Sequence, residues 1–164
     1  MSHLKRFGVV AAAFAMLAAG TGTATADNSA QGAQHVPLSS FLRRCDANAT
    51  GYMPSATRGT GYADISRTGN TVQADVHMII AAPDIWYGVR LIQTPRPGIS
   101  CGAGDPGVTM TRLYTDENGT GSVTLQGPVM PGATGAWVSV EGPLGASDLE
   151  APDIRTSDYI ARFS

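Results

Sequence analysis

Two cysteines and two of the three histidines carry most of the reactive chemistry available to this chain of 164 residues. Cys101 lies in PRPGISCGAGDPG, residues 95–107, crowded by glycine and proline. Three chemistries suit such a stretch: a thiolate nucleophile, a phosphate cradle or a disulfide. A nucleophilic thiol needs a partner that holds it as thiolate, usually histidine. Past the N-terminal leader the chain offers only His35, near the amino end, and His77. A phosphate cradle needs a glycine loop that opens a helix, commonly closed by Lys-Ser or Lys-Thr. The residues after Gly107 read as strand, Asp105 would repel phosphate, and no lysine follows Lys5. Gly102, Gly104 and Gly107 therefore read as turn residues. The disulfide Cys45–Cys101 is the favoured reading, because an even cysteine count in an exported chain signals pairing. Closing a loop of more than fifty residues is worth roughly 4 kcal/mol by chain entropy.

His77 falls in TVQADVHMII, residues 71–80, beside Asp75 and Gln73. With a serine it could form a Ser-His-Asp device, yet no Gly-x-Ser-x-Gly elbow is present. It also lacks the His-x-His or Cys-x-x-Cys companion of a metal site. A solvated strand histidine is the favoured reading, and no metal or cofactor is implied. DENG, residues 116–119, has Asp116 and Asn118 but not the remaining ligands of a calcium loop. It reads as a tight turn. The carboxylates from Asp64 to Asp158 are scattered, whereas a glycosidase needs two that face each other across a cleft.

The aromatic residues point to binding. Trp86 and Tyr87 are adjacent on a strand, so they point to opposite faces. Trp137 falls on the polar side of its own strand. Trp86, Tyr87 and Trp137, with Arg90, Arg112 and His77 nearby, make the candidate recognition surface.

The elements that must position these residues begin with a leader. Lys5 and Arg6 precede the apolar run FGVVAAAFAMLAA, and Ala24-Thr25-Ala26 is a small-x-small cleavage site. This is the pattern of a secretory signal peptide over residues 1–26, cleaved near Ala26. The run is too short to span a bilayer, and no later stretch is long enough. Losing Lys5 and Arg6 takes the net charge from −2 to −4, and every remaining cation is arginine. Beyond Arg43-Arg44 there is no basic cluster, so nucleic acid is not an expected partner. The Ala, Gly and Arg bias suggests a bacterial source. Residues 27–35 are expected to be a disordered mature N-terminus, and residues 36–164 a single domain.

Leu38, Phe41, Leu42 and Cys45 stand at i, i+3, i+4, i+7, which fits a short helix; a short strand is the competing reading. The period then changes to two. Residues 62–67 and 71–80 form a hairpin around Gly69 and Asn70, with Val72, Ala74, Val76, Met78 and Ile80 inward. Further strands follow at 86–93, 108–115, 121–126, 136–141 and 155–163. Ala136, Val138 and Val140 face the core there, and Trp137, Ser139 and Glu141 face away. Seven short strands with turn residues between them predict an all-β, antiparallel sandwich.

LYTDENGTGSVTL, residues 113–125, resembles the strand-turn-strand motif of bacterial immunoglobulin-like domains. The plan as a whole resembles Greek-key sandwiches such as the copper–zinc superoxide dismutases, whose copper-ligand histidines have no counterpart here, and most of all small exported β-sandwich proteins of actinobacteria. The resemblance implies an immunoglobulin-like, Greek-key sandwich but no activity. The expected function is non-enzymatic binding of a protein or cell-envelope ligand. The alternative is a small secreted hydrolase using His77 with a nearby Asp or Ser.

Overall fold

The computed structural model describes residues 31–52, 59–142 and 153–164. The expected signal peptide, residues 27–30 of the expected N-terminal tail and most of the 142–152 loop lie outside them. Eleven strands are described: β1 Gln31–Ser39, β2 Phe41–Arg43, β3 Ala49–Tyr52, β4 Thr60–Thr68, β5 Thr71–Ile79, β6 Trp86–Thr94, β7 Val108–Tyr114, β8 Gly121–Pro128, β9 Gly135–Gly142, β10 Asp153–Ser157 and β11 Ala161–Arg162.

The β4–β5 hairpin is the clearest case of sequence dictating structure. Strict alternation places Val72, Ala74, Val76 and Met78 on one face, and all four are fully buried. Their partners across the ladder include Ala63 and Ile65, also buried. Gly69 closes the turn with φ of 56°, a left-handed conformation that glycine adopts without steric cost. β8 pairs with the other edge of β5, and β1 with the other edge of β4.

The full antiparallel order is β7-β6-β9-β10-β1-β4-β5-β8, with β11 added beside β9 and a separate two-stranded sheet from β2 and β3. This eight-stranded sheet curls until its two ends, β7 and β8, lie side by side. Two glycines permit the approach. A Cβ at Gly121 would fall 2.3 Å from the Tyr114 carbonyl oxygen, and one at Gly127 would fall 2.3 Å from Thr109 Oγ1. β7 and β8 meet by packing and not through a ladder, so they remain the two ends of the hydrogen-bonded order. Inside lie Val36 and Leu38 of β1, the β4–β5 set, Tyr87, Val89 and Leu91 of β6, Leu113, Leu125, and Ala136, Val138 and Val140 of β9.

A second, smaller cluster forms outside the curled sheet. Cys45 and Cys101 form a disulfide spanning 56 residues of sequence. Around it Ala47, Ile92, Cys101 and Trp137 are buried, with Val108 and Ile160 against them. The segments joined by the bridge therefore cover the outer face of β6 and β9. The backbone N–H of Cys45 also donates to Gly98 O, and Thr156 Oγ1 to Phe41 O, which hold β2 against the body.

Three expectations are corrected here. No helix is found among the described residues; Leu38 is a buried residue near the end of β1, while Phe41 and Leu42 belong to β2 and are partly exposed. The helical spacing was coincidental, because the chain bends at Ser40 between two strands. Residues 31–35, expected in the disordered tail, lie in β1, where His35 pairs with Asp64 and Gln34 with Ile65. Ile80, expected inward, is 62% exposed. β5 ends at Ile79, and Ile80 takes a φ of 56° that swings its side chain outward. A β-branched residue is rarely found there.

Candidate functional site

The residues singled out for recognition divide between the core and two opposite outer faces. Tyr87 and Trp137 are buried, 0% and 2% exposed, and leave the candidate surface. Tyr87 shares its parity on β6 with Val89 and Leu91, so it points inward with them. Its hydroxyl accepts from the Ala82 N–H at 3.2 Å and donates to Asp153 Oδ2 at 3.1 Å. Burial pushes the phenol well above the ordinary tyrosine range, and the Asp153 carboxylate adds to the shift. Asp153 is fully buried and lies 3.0 Å from Arg155 Nε, so a buried charge has a partner. Trp137 alternates correctly away from the main core, but the disulfide cluster covers it.

Trp86 points outward and is 49% exposed. Directly across the ladder on β7 stands Tyr114, 44% exposed, with ring centroids 5.1 Å apart at 50°. Tyr114 donates its hydroxyl to Asp84 Oδ1 at 3.1 Å, and that bond raises the phenol's pKa. The next outward pair is Gly88 and Arg112, then Arg90 and Met110. Met110 is partly exposed, and Arg112 is exposed with no ion pair among the described residues. Arg90 differs. It forms an ion pair with Glu141, its Nη1 donates to Cys101 O at 3.3 Å, and burial lowers its pKa. Arg90 thus braces the disulfide loop against β6 and β9. Tyr114 and Met110 were not assigned from sequence. The signal existed: Leu113 is the core residue of that strand, so its neighbour Tyr114 must face out.

His77 occupies the opposite outer face. Its ring stacks on Tyr62 at 4.6 Å and 18°, and Tyr62 meets His35 at 4.6 Å and 40°. His35 Nδ1 lies 2.8 Å from Asp64 Oδ1. Ser122 is the register partner of His77, and Thr124 that of Asp75. A hydrolytic device is not assembled from them. Both Asp75 oxygens are occupied, one by Thr124 Oγ1 and the other by Gln73 Nε2. No hydrogen bond joins His77 to Ser122 or Asp75 among the described residues. Asp64 and Asp75 are register partners side by side on one outer face and do not oppose each other across a cleft, so the two-carboxylate geometry is missing too.

The two glycine turns are structural. Gly104 and Gly107 have positive φ, Asp105 Oδ2 accepts from the Gly102 N–H at 2.8 Å, and the chain continues into β7. Asp116 Oδ1 accepts from the N–H groups of Asn118 and Thr120, each at 2.9 Å, which fixes the DENG turn. Among the described residues no group of three or more His, Cys, Asp or Glu could hold a metal ion, and no helix is long and apolar enough to cross a membrane. Comparisons with protein-family models, curated proteins and solved structures find no match. The fold and its surfaces define a disulfide-bonded, all-β chain with one aromatic outer face and one polar outer face.

Proposed function

We propose that the chain is an exported, non-enzymatic binding protein that docks a protein or cell-surface ligand on the Trp86–Tyr114 face. The observation that carries this reading is the aromatic pair itself. Two large rings stand half exposed on paired positions of adjacent strands, with Met110 and Arg112 beside them. Trp, Tyr and Arg are the residues that supply most interface energy, and a rigid sheet presents them at small entropic cost. Export agrees with the N-terminal leader and with a disulfide, which persists in oxidising compartments. The connectivity supports a Greek-key sandwich. β6 and β7 pair, β8 lies along β7 at the seam, and β9 returns beside β6. It departs from the immunoglobulin arrangement in one respect: with β2 and β3 set apart in their own sheet, the first three strands of the large sheet, β1, β4 and β5, pair in succession, where that fold places its second and third strands in different sheets.

A photo-crosslinking residue placed at Arg112 tests the reading on cells that export the protein, with Thr50, exposed on the separate β2–β3 sheet, as the control position. A cross-linked product is expected from position 112 alone. Trp86→Ala or Tyr114→Ala should weaken capture about thirtyfold, the scale of one hot-spot side chain. Equal products from both positions, or capture unchanged in Trp86→Ala, would refute it.

A further inference from the structure

The outer face of β1, β4, β5 and β8 carries a second binding surface, independent of the aromatic one, and we propose that it binds an uncharged polysaccharide chain. An exposed four-stranded face is usually covered with long charged side chains. Here the outward positions of β4, β5 and β8 hold only hydroxyl, amide, imidazole, phenol and aspartate groups, apart from Ile79 and Pro128 at its ends. No lysine, arginine or glutamate stands among them.

The face divides into groups already committed and groups left free. Asp64 is engaged by His35, and Asp75 by Thr124 and Gln73, so neither carboxylate needs an outside cation. Tyr62 is fixed between His35 and His77. In contrast, the side chains of Ser66, Thr71, Ser122 and Gln126 make no hydrogen bond within the described residues. Hydroxyls and amides both donate and accept, and a ligand rich in neutral hydroxyls does the same. The two carboxylates would repel a phosphorylated or sulfated ligand, and no lysine or arginine stands at the outward positions of β4, β5 and β8 to attract one. Short Ser and Thr side chains lose little rotamer entropy on binding, unlike the long side chains that are missing.

Two open hollows on this face set the distance a ligand would span. One open hollow of about 180 Å³ is lined by Ser66, Thr71, Gln73 and Gln126. Another of about 360 Å³ is lined by Asp75, His77 and Ser122. Gln73 and His77 are four residues apart on β5, which is about 13 Å along a strand. A single sugar would reach only one hollow, whereas a chain of several would span both, so the second contact would be made at high effective concentration.

The test titrates the mature, disulfide-bonded protein with linear neutral hexasaccharides of glucose, mannose and N-acetylglucosamine, followed by calorimetry and amide NMR shifts. At least one hexasaccharide should bind with shifts confined to β1, β4, β5 and β8, and at least tenfold more tightly than its disaccharide. Gln126→Ala and Thr71→Val, both on the surface, should each weaken binding about fivefold, while Trp86→Ala leaves it unchanged. The proposal is overturned if no hexasaccharide shifts this face at millimolar concentration, if binding survives both substitutions, or if the shifts map to β6 and β7.

Discussion

Removing the Cys45–Cys101 bridge should destabilise the protein by about 4 kcal/mol, mostly through the unfolded chain. The cross-link closes a loop with a sequence separation of 56. Chain entropy for a loop of that size is about 14 cal/mol/K, hence ~4 kcal/mol at room temperature. A domain of this size has about 5–15 kcal/mol in total, so the loss is a large share. In the folded state β2 stays tethered through Cys45 N–Gly98 O and Thr156 Oγ1–Phe41 O. Trp137 also keeps Ile92 and Ala47 against it. The native structure should therefore survive, and the effect should show in the denatured ensemble. The assay is urea unfolding of wild type and Cys45→Ala/Cys101→Ala, followed by tryptophan fluorescence and far-UV circular dichroism. Trp137 is the useful reporter because it is buried beside the bridge, whereas Trp86 is half exposed. The midpoint should fall, and the m-value should rise because the uncrosslinked chain exposes more surface when unfolded. A loss below about 1 kcal/mol would refute the entropic reasoning. So would a Trp137 transition that separates from the far-UV signal, since it would make the stapled segment a unit of its own.

Other substitutions probe the backbone and the buried phenol. Gly119 has φ of 71°, and a Cβ there would meet Ala81 O at 2.1 Å, while Gly132 has φ of 79° and open space around it. Gly132→Ala should cost about 1 kcal/mol, the left-handed penalty alone, and Gly119→Ala clearly more; equal costs by denaturation would show that the Gly119–Ala81 contact yields freely. Tyr87 has a raised pKa, so it contributes stability below the ordinary tyrosine value of about 10 that is lost as pH rises further. Unfolding measured between pH 9 and 12 should fall with a steeper slope in wild type than in Tyr87→Phe; identical slopes would place the phenol in contact with water.

How much of this was legible in the sequence depended on what covers each strand. The β4–β5 hairpin could be read residue by residue because one face meets the core and the other meets solvent, so polarity alternates with the backbone. β9 breaks that link. Trp137 and Ser139 look outward by parity and are nevertheless buried, because residues 45–47 and 101 arrive from elsewhere in the chain to cover Trp137. The cover depends on a cross-link between segments 56 residues apart, and no local pattern records it. Cysteine arithmetic identified the bridge itself, but not the surface it would bury. For the aromatic face the obstacle was different. Parity along β6 could separate Trp86 from Tyr87 once Val89 and Leu91 were taken as core, and Leu113 likewise turns Tyr114 outward. What parity cannot supply is register. Trp86 stands beside Tyr114, and not one position further along, because β6 and β7 pair through a long loop whose length fixes no turn type. Register also built the polar face, where His35, Tyr62 and His77 come together from three strands. Both candidate surfaces are thus products of strand alignment, and a one-residue slip in either hairpin would turn its outward residues into the core.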